Sequence, residues 1–241
     1  KMKGKFYGVG VGVGDEEELT LKAVRILKEA DILVLPEAKK SEGSTAFEIV
    51  KNYLREDAEK LFLEFPMLED VKEKEKIREE NAKAIREELE KGKNVVFLTI
   101  GDPMIFSTYT YILEHLEETD IVETVPGITS FGSMASRLNI PLVIGDEDLK
   151  IVSLNKNTDI HKEIENNTNI VFMKLSRNFE RLKKALEDTE NLENSILISN
   201  CGKENEEIIT DVANTEKVHY FSTLILKKGG LKKWKRFILL A

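Results

Sequence analysis

Cysteine is nearly absent from this chain. Its single copy, Cys201 among 241 residues, excludes an internal disulfide. That suits a reducing compartment, so the expected location is cytoplasmic. Histidine is almost as scarce. His115, His161 and His219 are scattered, with no Cys or second His at ligand spacing, so no metal site is expected. No apolar run approaches the roughly 18 residues of a transmembrane helix, and no membrane partner is expected. The opening KMKGKFYGVGVGVG carries basic residues, but glycine breaks its apolar part, so it reads as a first strand and not a signal peptide. Positive charge is not in surplus either: Lys+Arg 36 against Asp+Glu 44 gives −8, which argues against a nucleic-acid partner. There is no Walker loop and no G-x-S-x-G elbow. What remains is a chain with 41% hydrophobic and 33% charged residues, able to bury a sizeable core. Its Lys/Glu surplus leans towards a thermophile.

The most informative stretch is Val95 to Tyr111, VVFLTIGDPMIFSTYTY. A continuous apolar run with β-branched residues after it reads as a strand buried on both faces, as in a parallel sheet. It stops at Gly101-Asp102-Pro103, and helical spacing returns over Met104 to Leu116. A strand that ends in a tight loop with one carboxylate places Asp102 at the rim of a site, because open α/β sheets bind ligands at strand carboxyl ends.

The start of the chain alternates Val and Gly over Lys5 to Val13. Asp15 to Glu18 then has capping-box spacing, and Leu19, Ala23, Ile26, Leu27 and Ala30 make an apolar helical face. No register of these glycines satisfies G-x-G-x-x-G. Carboxylates also crowd the very helix start that would hold a pyrophosphate, so a ligand here should be neutral or cationic. A Gly-rich strand that merely packs tightly is an equal alternative for this stretch alone.

Strands are expected at 31–35, 61–66 and 121–125. Helices are expected at 46–54 and at 69–92, where the charge run reads as a solvated face. This alternation indicates a mostly parallel sheet. Pro126-Gly127 is a sharp turn, Thr129 or Ser130 caps a small-residue helix over 131–138, and the domain boundary is placed between 125 and 126. The second domain, 126–241, shows strands at 150–154, 169–174, 195–200, 206–212 and 218–227, with helices at 161–165 and 179–187. Its last three strands are joined by turns, so an antiparallel portion and a mixed sheet are expected. The tail over 231–241 reads equally as an edge strand or a docking helix.

Three runs taken in order resemble a known family: GVGVGD at 10–15, TIGDPMIFST at 99–108 and VPGITSFGSMASRLNIPL at 125–142. They are similar to the tetrapyrrole (precorrin) methylases, along essentially the whole chain. Within that family they most resemble the methyltransferases acting at carbon 20 of precorrin-2 or cobalt-factor II. Glu16 stands where family members commonly have Pro. Diphthine synthase also has Asp-Glu there, which keeps a methyltransferase acting on elongation factor as an alternative, although that enzyme lacks the Pro-Gly-Ile-Thr-Ser-Phe run. A non-catalytic binding module of the same fold is a further alternative.

The resemblance implies a two-domain α/β fold with the cofactor, S-adenosylmethionine, in the interdomain cleft. It implies cofactor contacts at Gly101, Asp102 and Ile105, at Thr129 and Ser130, at Met173, and at Val13. It implies a tetrapyrrole substrate beside Gly12 and Asp15 and a homodimer; since that substrate carries many carboxylates and the chain is net −8, basic residues must be local to the groove, with Lys39, Lys40, Arg137, Lys174 and Arg177 as candidates. Asp102 is the sole catalytic candidate, equally readable as a residue that shapes the pocket.

Overall fold

The computed structural model describes residues 2–37 and 44–240. The chain divides into two compact units, Lys1–Thr129 and Ser130–Ala241. The sequence cut at 125/126 falls four residues earlier than this division. Residues 126–129 go with the first unit because Gly127 packs against Gly10 and Gly101 of its sheet.

The first unit contains β1 (Lys5–Gly10), α1 (Leu21–Leu27), β2 (Ile32–Glu37), α2 (Thr45–Val50), β3 (Glu59–Glu64), α3 (Val71–Glu90), β4 (Val95–Thr99), α4 (Tyr109–Leu113) and β5 (Ile121–Val125). Its five strands run in the order β3-β2-β4-β1-β5, and all pairs are parallel. Every residue of β4 is buried, as its unbroken apolar run predicts. Its side chains alternate between two cores. Val96 and Leu98 pack with α1 and α2, whereas Val95 and Phe97 pack with α3 and α4. The chain therefore leaves β1 towards one face of the sheet and its neighbour β4 towards the other. Their carboxyl ends form a topological switch point, where α/β sheets open a crevice.

Two expected helices are shorter than their periodicity suggests. Asp15 does cap, accepting from Glu17 N at 2.9 Å, but it caps only a single 3-10 turn at Glu16–Glu18. Thr20 then caps α1 by accepting from Ala23 N. After Asp102 no helix forms until Tyr109. The Asp102 carboxylate takes Met104 N at 2.8 Å, its carbonyl takes Ile105 N at 3.2 Å, and Ser107 Oγ takes Tyr109 N at 3.1 Å. Phe106 sits at φ +52. These local bonds use the amides that a helix needs.

The second unit contains α5 (Ser130–Leu138), β6 (Lys150–Ser153), α6 (Ile160–Asn166), β7 (Asn169–Met173), α7 (Phe179–Asp188), β8 (Ser195–Ser199), β9 (Glu207–Ile209), β10 (Ser222–Lys227) and α8 (Leu231–Trp234). The sheet order is β6-β7-β10-β8-β9. β6 and β7 are parallel, and every other pair is antiparallel, so the sheet is mixed as expected. α6 and α7 cover one face through Ile160, Ile164, Leu182 and Leu186. On β10, Lys227 is buried, and its ammonium reaches Glu147 Oε2 at 2.7 Å and Asn169 Oδ1 at 3.2 Å. The tail continues past α8 as a 3-10 turn, Lys235–Leu240, and not as a strand.

Candidate functional site at the strand carboxyl ends

In the first unit the site is built chiefly from backbone. A Cβ on Gly10 would stand 2.6 Å from Gly101 O and 2.6 Å from Gly127 Cα. One on Gly127 would stand 2.1 Å from Gly101 O. Both distances are far inside van der Waals contact, so these three main chains touch only because Gly10 and Gly127 lack side chains. Gly101 and Gly12 also take left-handed angles, φ +74 and +69, that glycine alone adopts freely. They are joined by Gly101 N donating to Gly12 O at 2.8 Å, an isolated antiparallel bridge that turns the chain across the sheet edge.

Asp102 lies in this cluster, and both of its oxygens are occupied. Oδ1 accepts from Met104 N at 2.8 Å, and Oδ2 accepts from Gly127 N at 3.0 Å. It ties the loop after β4 to the turn after β5. A carboxylate that accepts two backbone amides holds the two turns in register. Behind the loop, the Tyr109 ring fills the space over Gly8, where a Cβ would stand 2.2 Å from Cζ. Its hydroxyl lies 2.8 Å from Thr124 Oγ1, and burial pushes its pKa up.

The other candidates in this unit fall around the same edge. Gly12 and Val13 follow β1, and both are buried. Asp15 is half-buried and caps the 3-10 turn that carries Glu16, Glu17 and Glu18. A Cβ on Gly12 would approach Glu18 Cβ at 3.4 Å, so the acidic turn folds back onto the glycine bend. Ile105 and Thr129 are half-buried. Lys39 and Lys40 lie outside the described residues.

In the second unit the parallel strands β7 and β8 end on the same sheet edge. Met173 closes β7 half-buried, its carbonyl accepting from Leu154 N at 3.0 Å. Lys174 follows at φ +59 and is exposed. Asn200, which the sequence reading did not single out, follows β8 at φ +52 and is buried. The available signal was an Asn directly after a strand, since Asn tolerates the left-handed conformation better than most residues. Beyond it, Lys203 holds its ammonium 3.9 Å from the Phe221 ring centre, and burial lowers its pKa.

Ser130 opens α5, and its Oγ is buried without a hydrogen-bond partner among the described residues. Such a hydroxyl costs stability unless a ligand meets it. Arg137, on the same helix, pairs with Glu206 at 3.4 Å. Arg177 is exposed in the turn before α7. The structure thus brings Gly12, Gly101 and Asp102 together and adds Gly10 and Gly127 to them.

In the first unit the acidic turn Glu16–Glu18 lies against Gly12, and its carboxylates disfavour a phosphate there.

Comparison with known proteins agrees with this chemistry. The family model for Tetrapyrrole (Corrin/Porphyrin) Methylases matches residues 5–215. A cobalt-precorrin-2 C(20)-methyltransferase of Salmonella typhimurium is 35% identical over 231 residues, 94% of this chain and 98% of that protein. A probable cobalt-precorrin-2 C(20)-methyltransferase of Methanocaldococcus jannaschii is 41% identical over 184 residues, 76% of this chain and 77% of the other. Among solved structures, a cobalt precorrin-4 methyltransferase superposes with TM-score 0.72 at 18% identity, covering 92% of this chain and 94% of that one. A uroporphyrin-III C-methyltransferase from Thermus thermophilus, complexed with S-adenosyl homocysteine, superposes with TM-score 0.64 at 23% identity over 93% of this chain and 98% of that one. These two likenesses establish the fold.

Proposed function

The chain belongs to the tetrapyrrole (corrin/porphyrin) methylases, and from that premise we propose that it is an S-adenosylmethionine-dependent C-methyltransferase of cobalamin biosynthesis. It methylates carbon 20 of a precorrin-2-level macrocycle, and the cobalt-loaded form is its preferred substrate. The observation that carries this reading is the close glycine junction of Gly10, Gly101 and Gly127 at the strand ends, in a chain 35% identical to a cobalt-precorrin-2 C(20)-methyltransferase across 94% of its length.

When bound, S-adenosylmethionine supplies an electrophilic methyl group. The chain's own contribution is placement. Gly101, Asp102, Ile105 and Val13 form the wall offered by the first unit, with Thr129 at its end. Ser130 and Met173 are the second unit's contribution, Ser130 through its unsatisfied hydroxyl. Asp102 holds the wall in shape through its two amide bonds. The macrocycle is an electron-rich carbon nucleophile, so alignment supplies much of the rate without a dedicated base. Gly12 and Asp15 flank the substrate. Lys39, Lys40, Lys174 and Arg177 meet its carboxylates, and Arg137 does so only by giving up Glu206.

The reading extends to a cytoplasmic homodimer. A buried Cys201 that is in no disulfide supports a reducing compartment, and the exposed Tyr220 and Phe221, stacked edge-on at 5.0 Å, support self-association. Among the described residues no helix is long and apolar enough to cross a membrane.

The deciding assay incubates the protein with methyl-labelled S-adenosylmethionine and, in parallel, metal-free and cobalt-loaded precorrin-2. One label per macrocycle at carbon 20, faster with cobalt, is expected. Label found at another carbon, or on neither macrocycle, would overturn the assignment.

A further inference from the structure

We propose that Glu75, Glu79 and His115 form a binding site for a first-row divalent cation with a preference for mixed nitrogen and oxygen donors, such as Zn²⁺ or Co²⁺. Glu75 and Glu79 stand four apart on α3, and His115 follows α4. One ligand atom from each lies within 4.8 Å of the other two. Donors on a tetrahedral zinc ion stand roughly 3.4 Å apart, so side-chain rotations that close the atoms by about 1 Å bring all three onto one ion.

Three features point to a cation and not to an ordinary surface cluster. His115 Nε2 is buried and makes no hydrogen bond among the described residues, although Glu75 Oε1 lies 3.2 Å away. A sealed imidazole nitrogen that faces a carboxylate without a well-formed bond is unsatisfied. Glu75 and Glu79 carry like charges at helical spacing, which repel unless something neutralises them. Glu75 is also held from behind. Arg78 Nη1 lies 3.5 Å from its Oε2, while the Arg78 guanidinium stacks 3.6 Å over the Tyr111 ring. That leaves Oε1 turned to His115, an outer-shell arrangement of the kind that orients metal ligands.

One imidazole and two carboxylates suit Zn²⁺, Co²⁺ or Mn²⁺ better than a soft thiophilic ion, with remaining positions left to water. The ion would fasten α3 to the segment following α4, the helix entered directly from the Asp102 loop. The site is unrelated to the cofactor wall and stands or falls independently of the proposed methyl transfer.

The test uses the full chain and the metal salt alone. Titration with ZnCl₂ in a calorimeter should show one saturable site per chain, and CoCl₂ should give visible ligand-field absorption from a mixed nitrogen and oxygen set. Glu79 is exposed, so Glu79→Gln leaves the fold intact; it should weaken binding at least tenfold, and His115→Ala should abolish it. His161→Ala should bind as the unmodified chain does. Absence of saturable binding, or binding unchanged in Glu79→Gln, would overturn the proposal. Loss of binding in His161→Ala alone would overturn it equally, by moving the ion elsewhere.

Discussion

The two units end their buried strands by opposite means. In the first, β1 ends in glycine, and glycines follow β4 and β5 at 101 and 127; their main chains lie closer than any side chain permits. In the second, residues that carry side chains take the left-handed conformation, Lys174 at φ +59 after β7 and Asn200 at φ +52 after β8. The first edge is shaped by missing atoms. The second is shaped by strain that the surrounding structure supports, of order 1–2 kcal/mol for an ordinary residue and less for Asn. A junction made of missing atoms tolerates no addition, whereas a strained one tolerates relief.

The largest expected effect tests that asymmetry directly. Gly127→Ala places a methyl group 2.1 Å from Gly101 O, against rigid backbone. The junction must open, moving Asp102 with it, and misplacement on the ångström scale costs about 100-fold in rate. Asn200→Gly in the second unit removes the left-handed penalty and adds chain entropy, terms that nearly cancel, so its urea midpoint should correspond to a change within about 1 kcal/mol. Initial rates for the first variant and equilibrium unfolding for both give the comparison. Equal destabilisation by the two substitutions would erase the distinction.

Asp102→Asn comes next in size. The amide keeps the shape but has one acceptor oxygen where the carboxylate has two, so either the Met104 or the Gly127 amide is left unsatisfied. A lost bond of this kind costs about 1–3 kcal/mol. Activity should fall roughly tenfold, by that same energy spread over binding and alignment. The pH dependence of kcat should not move, because the group positions a loop and transfers no proton. A pH profile that loses an ionisation in Asp102→Asn would make the residue a base and return chemistry to it.

This asymmetry also explains what the sequence made legible. Gly101 stands where the buried run of β4 stops, so motif spacing and composition both point at it, and the structure adds Gly10 and Gly127. The continuous apolar run of Val95 to Leu98 likewise announces a strand covered on both faces. The second unit offers little of this. Lys174 stands out in the chain only as a cation and Asn200 only as an Asn after a strand, and their left-handed angles appear first in the structure. The missing helix over 104–108 had a local cause that periodicity does not register: Asp102 and Ser107 spend their side chains on nearby amides. The α3 charge run reads as a solvated face and is one, since the helix buries only Ala82, Ile85 and Leu89, while the fold alone brings His115 beside Glu75 and Glu79. Arg137 read as a substrate-binding cation, but the loop after β8 places Glu206 beside it.

The smallest effect concerns acid stability and again separates the units. In the first, Lys22 and Lys5 both contact Glu123 at 2.5 Å and hold its carboxyl down to about 2. Its folded pKa lies below the unfolded value near 4.5. The stabilisation is therefore complete above that value and lost as pH falls from about 4.5 to about 2. The three groups are partly exposed, so the effect should not exceed the ~1 kcal/mol typical of surface pairs. In the second unit the Lys227 ammonium also lowers the Glu147 pKa, with the same sign, but Lys227 is buried and has nowhere to hydrate once its partner is neutral. Hydrogen exchange at pH 3 should therefore deprotect β10 and β7 more than β5 and β1. Glu123→Gln should remove what acid sensitivity β5 shows and leave β10 unaltered. If β5 lost protection first, surface pairing would outweigh the buried ammonium, and the second unit would be the more acid-resistant of the two.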